Sequence, residues 1–388
     1  MKTMKLIATM MTLSMLAAAF AGCLGGDDDD EKTTVKIGFL NPITGPLEPN
    51  APVFKWSADE AISDLNEMYP DYNFELIEQD SGCDGAVAGP AAQTLVDSGV
   101  YAVVGAACSG ASMAANGVLS AAGIPMISYA STNPGLSDAS AYPMFYRNVP
   151  SDAIQGPAGA DMMTDAGVAE GALAVFGMTN DYGAGLADAV VDAWGSDKLC
   201  DVGRYDYAET DTDFSAIADQ MKNSADCTAV YLSSYIADAA LIIEALNDAE
   251  WDGHIFGGDG PAGEGMYAEM EDDSLLNGMT VTQPRAGSSA GDFSARYDAN
   301  APSGGIKAYD LTTYDGVMMV GMAAVSNMDD ADASIMATGS GYAGSSGVIN
   351  FLDNGDIGGN GYDICSYDGV DQYTCSKYWT AEGGVATA

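Results

Sequence analysis

Two sets of side chains in this sequence could grip opposite charges. Small and hydroxyl-bearing residues cluster at Thr44-Gly45-Pro46, at Cys108-Ser109-Gly110-Ala111-Ser112 and at Tyr129-Ala130-Ser131-Thr132-Asn133-Pro134. Each cluster follows a short β-rich run, and the second leads straight into a helical pattern. Free backbone N–H groups at a helix start, with the positive end of the helix dipole, suit a carboxylate. The second set is Asn180-Asp181-Tyr182-Gly183, Ser233-Ser234-Tyr235 and Gly258-Asp259-Gly260. Its two tyrosines and Asp259 suit an ammonium group and an apolar side chain. Facing one another across a cleft, the two sets describe a site for a zwitterion, that is, a free α-amino acid. A serine ahead of a helix is on its own an ordinary N-cap, so the joint placement carries the reading.

The same serines could also be nucleophiles. Ser109 or Ser131 would then need His254, the single histidine, as base, and neither lies in a G-x-S-x-G elbow. An exported serine hydrolase is therefore the distant reading. One histidine also excludes most catalytic zinc sites, and no C-x-x-C spacing occurs. Asp353-Asn354-Gly355-Asp356 lacks the spacing and closing glutamate of an EF-hand and reads as an Asn-Gly turn. No metal and no cofactor is expected.

The elements that must position these residues alternate along the chain. Val35 to Leu40 reads as a buried strand, and Phe54, Ala58, Ala61, Ile62 and Leu65 follow with the helical period. Strand–helix pairs continue through Phe74–Ile77, a helix through Val87 and Leu95, Tyr101–Gly105, Ser112–Ala122 and Pro125–Ser128. A second series begins near residue 152, with strands at Ala172–Phe176, Ala229–Leu232 and Ile255–Gly257. Repeated βα units predict parallel sheets covered by helices on both faces. In such sheets ligands sit beyond the carboxyl ends of the strands, where the two sets of residues fall. After about residue 284 the pattern changes to one long helix, Leu311–Val325, then short strands and turns. Met318, Met319 and Met322 on that helix, and Trp56 on the first, read as packing.

The chain has 388 residues, 47% of them hydrophobic, enough for two domains with separate cores. Lys+Arg 13 against Asp+Glu 56 gives a net charge of −43, which repels phosphate backbones and excludes general nucleic-acid binding. Such self-repulsion is relieved by salt, so adaptation to a salty exterior is expected, with a cation-capturing surface as the alternative.

Lys2 and Lys5 precede an apolar run from Leu6 to Ala21, the pattern of a secretory signal over residues 1–22. No later apolar stretch approaches the ~20 residues that cross a bilayer. Phe20-Ala21-Gly22-Cys23 resembles the lipobox of exported lipoproteins, in which the cysteine is lipidated and becomes the first mature residue. An ordinary cleaved signal with an incidental cysteine is the alternative. Residues 23–34 then form an acidic tether around Asp27 to Glu31, too polar to bury. Removing Cys23 leaves Cys83, Cys108, Cys200, Cys227, Cys365 and Cys375, an even set in an exported chain that suggests disulfides. Six cysteines allow about 15 connectivities, of which sequential pairing is the simplest. Cys365 and Cys375 flank a polar turn and would staple a terminal hairpin.

The sequence from about Val35 to the C-terminus resembles the extracytoplasmic substrate-binding proteins of ABC importers, in particular the branched-chain amino-acid-binding (Leu/Ile/Val-binding) family. Val35-Lys36-Ile37-Gly38-Phe39 with Thr44-Gly45-Pro46, Asp80 through Cys83 with Gly105 through Ser109, Thr132-Asn133-Pro134, and Asp181-Tyr182-Gly183 carry the likeness. The resemblance implies a two-lobed type I periplasmic-binding-protein fold, with two doubly wound, mainly parallel sheets and a three-crossing hinge. It places lobe 1 at 35–151 plus 285–363 and lobe 2 at 152–284 plus 364–388. It supports a Cys83–Cys108 bridge, while Cys200–Cys227 and Cys365–Cys375 go beyond the commonest family pattern.

By position, Ser109 and Thr132 would hold the ligand α-carboxylate, with Ala130 and Ser131 in the same loop. Tyr182 and Tyr235 would close from lobe 2, and Asp259 would meet the α-ammonium. Asn50 stands where the family often has an aromatic, which opens the pocket to a more polar ligand. The implied function is capture of a small amino acid by hinge closure and delivery to permease subunits, without catalysis. The same fold holding an amide, urea or short peptide is the nearer alternative. The protein is expected to be a monomer, held by its lipid at the outer face of the cytoplasmic membrane or in a periplasm.

Overall fold

The structure, a computed structural model, describes residues 32–287 and 291–388. The signal segment, Cys23 and most of the acidic tether lie outside the described residues.

The first sheet grows from Thr33–Asn41 (β1), whose Val35, Ile37, Phe39 and Leu40 are all fully buried. Apolar residues on both faces of a strand need helices on both sides, and the helices follow. They are Ala51–Met68 (α1), Gly85–Asp97 (α2) and Ser109–Ala121 (α3), alternating with Tyr72–Asp80 (β2), Ala102–Val104 (β3), Met126–Ser128 (β4) and Phe145–Arg147 (β5). All pairings are parallel, in the order β2-β1-β3-β4-β5. Pairing is in register along the whole of β1 and β2, Thr33 with Tyr72 through Asn41 with Asp80.

The second sheet opens with Asp152–Asp165 (α4) and the wholly buried Leu173–Met178 (β6). Asp181–Trp194 (α5), Leu199–Tyr207 (β7), Ser215–Asn223 (α6), Ala229–Ser233 (β8), Ile236–Asp248 (α7), His254–Gly257 (β9), Gly265–Glu269 (α8) and Thr280–Pro284 (β10) follow. The chain then returns to the first sheet. Phe293–Asn300 (α9), Lys307–Ser326 (α10), Ala331–Thr338 (α11) and a small ribbon, Ser340–Ala343 (β11) with Val348–Asn350 (β12), complete that side. α10 is buried almost all round from Tyr309 to Val320, wedged between α1 and the strands.

Tyr362–Tyr367 (β13), Tyr373–Thr380 (β14) and Gly384–Thr387 (β15) rejoin the second sheet as an antiparallel meander beside β10. The sheet therefore reads β15-β14-β13-β10-β9-β8-β6-β7. The chain passes between the two sheets three times: before α4, after β10 and before β13. The boundary expected at 363/364 falls inside β13, because pairing with β10 already starts at Tyr362, opposite Pro284.

The six described cysteines are joined as Cys83–Cys108, Cys200–Cys227 and Cys365–Cys375. β5, β7, β10 and β15 were not anticipated from the sequence. β5 is three residues long and ends in a charged Arg147, and β7 is largely half-exposed at the sheet edge, so neither shows a clean apolar run. α10 begins four residues before the expected Leu311, which brings Tyr309 and Asp310 into the helix. Among the described residues, no helix is long and apolar enough to cross a membrane.

Candidate functional site

The loops that leave β3 and β4 meet those that leave β6, β8 and β9 across a narrow cavity of about 30 Å³. On the first-sheet wall, the first intrahelical bond of α3 runs from the Ser112 amide to the Cys108 carbonyl at 2.9 Å. The amides of Ser109, Gly110 and Ala111 precede it and have no acceptor within the helix. Ser109 lines the cavity, and its Oγ accepts from the Asn133 amide at 3.2 Å, which ties α3 to the β4 loop. Ala130 lines the same wall. The Cys83–Cys108 disulfide anchors the residue just ahead of Ser109.

On the opposite wall, Tyr182 begins α5 and Tyr235 stands at the start of α7. Their rings stack at 5.0 Å between centroids, inclined by 18°. The Tyr182 hydroxyl donates to Asp259 Oδ1 at 2.9 Å and accepts from the Gly260 amide at 2.9 Å. A Cβ on Gly260 would stand 2.1 Å from the Ser234 carbonyl oxygen, so this approach requires glycine. Asp259 is buried, 3% exposed, yet makes no ion pair with Lys, Arg or His among the described residues. Burial raises its carboxyl above the usual range, although hydrogen bonds from Tyr309 and Tyr182 oppose the shift.

Contacts already bridge the two walls. The Tyr309 hydroxyl, on α10, donates to Asp259 Oδ2, and Asn133 Nδ2 donates to the Asp181 carbonyl. The Tyr235 hydroxyl lies 3.7 Å from Cys83 Sγ. Phe54 and Leu47 from the first side, with Ile306 and Tyr309, give the cavity an apolar end. One carboxylate-friendly wall, one buried acid and an apolar end together form a receptacle for a small dipolar solute.

A family profile described as receptor family ligand binding region matches residues 55–369. The chain belongs to that family. The Leu/Ile/Val-binding protein homolog 3 of Brucella melitensis is 24% identical over 378 residues, covering 95% of this chain and 97% of that one. A leucine-, isoleucine-, valine-, threonine- and alanine-binding protein of Pseudomonas aeruginosa is 27% identical over 71% of this chain and 73% of its own. Among solved structures, the branched-chain amino acid transporter substrate binding protein of Streptococcus pneumoniae, in complex with isoleucine, superposes with a TM-score of 0.77. It shares 22% identity and covers 92% of this chain and 99% of its own. The fold is that of the type I periplasmic binding proteins.

Within this ligand-binding region the expected residues divide. Ser109, Ala130, Tyr182, Tyr235 and Asp259 line the cavity. Ser131 does not: its Oγ contacts the Ala106 and Ala107 carbonyls, each at 3.1 Å, and Ser112 Oγ at 2.8 Å. It braces the β3 and β4 loops from behind, because buried carbonyls there need a donor. Thr132 is fully buried outside the cavity wall, and its Oγ1 has no hydrogen-bond partner. Asn50 turns away, its Nδ2 donating to the Gly304 carbonyl at 2.7 Å, and Leu47 occupies the cavity side of that loop.

Tyr309 is the residue that sequence reasoning missed. Its polar surroundings, Lys307-Ala308-Tyr309-Asp310, hid the helix start that carries it. Arg147 was also passed over. It is fully buried and donates to Asp356 Oδ1, Ser137 Oγ and the Asn133 carbonyl at 2.6, 2.7 and 2.9 Å. It thus fixes the 131–134 loop from inside.

The hydrolase alternative lacks its base. His254 is exposed at the start of β9, roughly 10 Å along the strand from the end that leads to Asp259. Of possible metal ligands, the Cys200, Asp201 and Cys227 cluster has both sulfurs committed to a disulfide. A larger open groove along α5 presents Asp181, Asp188 and Asp192, of which Asp188 is already paired with Arg204.

Proposed function

We propose that the chain is an extracytoplasmic solute-binding protein of an ABC importer that captures a free amino acid, branched-chain or related, without chemical change. The observation that carries this reading is the opposition of Ser109 at the start of α3 to Asp259, within one cavity but on different sheets. The ligand carboxylate meets Ser109 and the α3 amides, with Thr132 completing that end if its hydroxyl turns into the cleft. The ammonium meets Asp259 in place of a tyrosine hydroxyl. A charge-assisted bond of this kind contributes ~1.5–3 kcal/mol.

Closure of lobe 2 (152–284 with 362–388) over lobe 1 (35–151 with 285–361) traps the solute, and the closed monomer docks on permease subunits. Lipidation at Cys23 holds the protein at the outer face of the cytoplasmic membrane or in a periplasm. The relatives' names, which specify leucine, isoleucine and valine binding, support the ligand class.

A thermal-shift panel of free amino acids, amides and sugars, run in high salt, tests the reading. A solute at a hundred times its dissociation constant adds ~2.7 kcal/mol to stability. At least one aliphatic amino acid should raise the melting temperature. A shift by an amide or a sugar, with none by any amino acid, overturns the ligand class.

A further inference from the structure

Beside the cavity, the two sides of the molecule interlock at a pair of glycines. Asp181 and Gly185 stand one turn apart on α5, and Gly110 is the second residue of α3 on the opposite side. Asn133, in the loop after β4, donates through Nδ2 to the Asp181 carbonyl, 48 positions away in sequence. Its amide group fits against Gly185, where a Cβ would stand 2.5 Å from Nδ2, 3.1 Å from Cγ and 3.1 Å from Pro134 Cδ. In return, the Asp181 carboxylate lies over Gly110, where a Cβ would stand 2.5 Å from Oδ2. A side chain at either glycine would push the facing group aside.

Each of the two polar side chains is set by its own loop. Asn133 Oδ1 accepts from the Gly135 amide at 2.6 Å, and Arg147 holds the Asn133 carbonyl at 2.9 Å, which turns Nδ2 outward. On α5 the helix start is capped by Asn180, whose Oδ1 accepts from the Gly183 amide at 2.8 Å. That leaves Asp181 to face the first turn of α3, where negative charge is favoured. The Asn133 amide also donates to Ser109 Oγ at 3.2 Å, so one backbone unit serves both this contact and the solute wall.

We propose that Asn133 and Asp181 form a reciprocal lock between the lobes, seated in notches at Gly185 and Gly110, which sets how fast a captured solute escapes. The proposal rests on the hinge-closure reading above. Gly110, Asn133, Asp181 and Gly185 all lie off the cavity wall, so they act on the lobes and not on the solute. A contact made only when the lobes meet stabilises the closed form alone. It therefore slows release and leaves the encounter of solute with the open form unchanged. Asn133 is thus a positioning residue, acting through lobe closure.

The test is stopped-flow kinetics of the full chain with L-leucine in high salt, beside thermal melts of the free proteins. Asn133→Ser keeps an acceptor for the Gly135 amide but loses the donor that crosses to Asp181. Gly185→Ala fills the notch while favouring the helix, as alanine does over glycine. Both should release L-leucine about fivefold to tenfold faster, with association rates within about twofold of wild type. The free Gly185→Ala protein should melt no lower than wild type, which separates the lock from a merely structural need for this glycine. An unchanged dissociation rate in either variant, or a lower melting temperature of free Gly185→Ala, overturns the proposal. If L-leucine does not bind the wild type, the amino-acid reading is the part at fault, and the double variant Asn133→Cys with Gly185→Cys decides the lock. A sulfur in the place of Asn133 Cγ would stand 3.1 Å from a Cβ at position 185, within bridging reach. Air oxidation of the free double variant should join the two positions, as peptide mass spectrometry reads, and absence of that bridge refutes the contact.

Discussion

Arg147 and Asp356 lie 209 positions apart in sequence and meet as a buried ion pair, Nε to Oδ1 at 2.6 Å. Asp356 belongs to the Asn-Gly turn that the sequence marked only as a turn. Gly355 takes a φ of +83° there, and its carbonyl accepts from the Arg147 amide at 3.1 Å. A Cβ on Gly355 would stand 2.1 Å from the Phe145 carbonyl oxygen, so the turn seats directly on β5. The pair thus ties the late turn at 353–356 to the 131–134 loop of the candidate site.

Asp356→Ala should lower the unfolding free energy by about 3–5 kcal/mol, because it leaves a buried guanidinium without its counter-charge. Asp356→Asn, which keeps an acceptor, should cost less. Denaturant melts in high salt measure both. A loss below about 0.5 kcal/mol for the alanine variant would mean that the ion pair does not hold this loop.

Ser109 and Ser131 should respond differently to removal of the hydroxyl. Ser109→Ala removes a group on the cavity wall, and affinity for L-leucine should fall at least about tenfold, as for one hydrogen bond to a charged partner. Ser131→Ala leaves the Ala107 carbonyl short of a donor, while Ala106 keeps the Ser128 and Ser112 hydroxyls. It should lower stability by about 1–3 kcal/mol with a smaller change in affinity. Calorimetric titration beside thermal melts separates the two, and a larger affinity loss for Ser131→Ala contradicts the assignment.

Stability should depend on pH through Asp310. Burial pushes this carboxyl up to about 7, while the Tyr297 hydroxyl, donating to Oδ2 at 2.6 Å, pulls the other way. Because the folded value lies above the unfolded one, the native state binds the extra proton. Its contribution is complete below about pH 4 and disappears as pH rises through about 7. Asp310→Asn cannot ionise, so relative to it the wild type should lose on the order of a few kcal/mol between those limits. Parallel denaturant melts of the two proteins at several pH values check this, and a constant difference across the window would sink it.

Much of the frame was legible in local pattern. The apolar run Val35–Leu40 lies inside β1, and Phe54, Ala58, Ala61 and Leu65 make the buried face of α1. The loops after β3, β4, β6, β8 and β9 also fall where ligands meet open α/β sheets. What local pattern misjudged was direction. Ser131 and Thr132 share a loop with Ala130, yet only Ala130 reaches the cavity, since the Ser131 hydroxyl answers the carbonyls behind it and Thr132 is buried off the cavity wall.

By itself, then, the sequence determined the alternation of strands and helices, the acidic character of the chain, and which loops could carry a ligand. Those properties depend on residue type and on spacings of two to four residues, which are visible in any short window. Only the tertiary structure decided that Tyr309 reaches Asp259, that Arg147 finds Asp356, and that Asp152 is fully buried. Each depends on which distant segment packs against a given side chain. The free energy of a buried charge is governed by those neighbours and by the exclusion of water, neither of which is written in its local sequence.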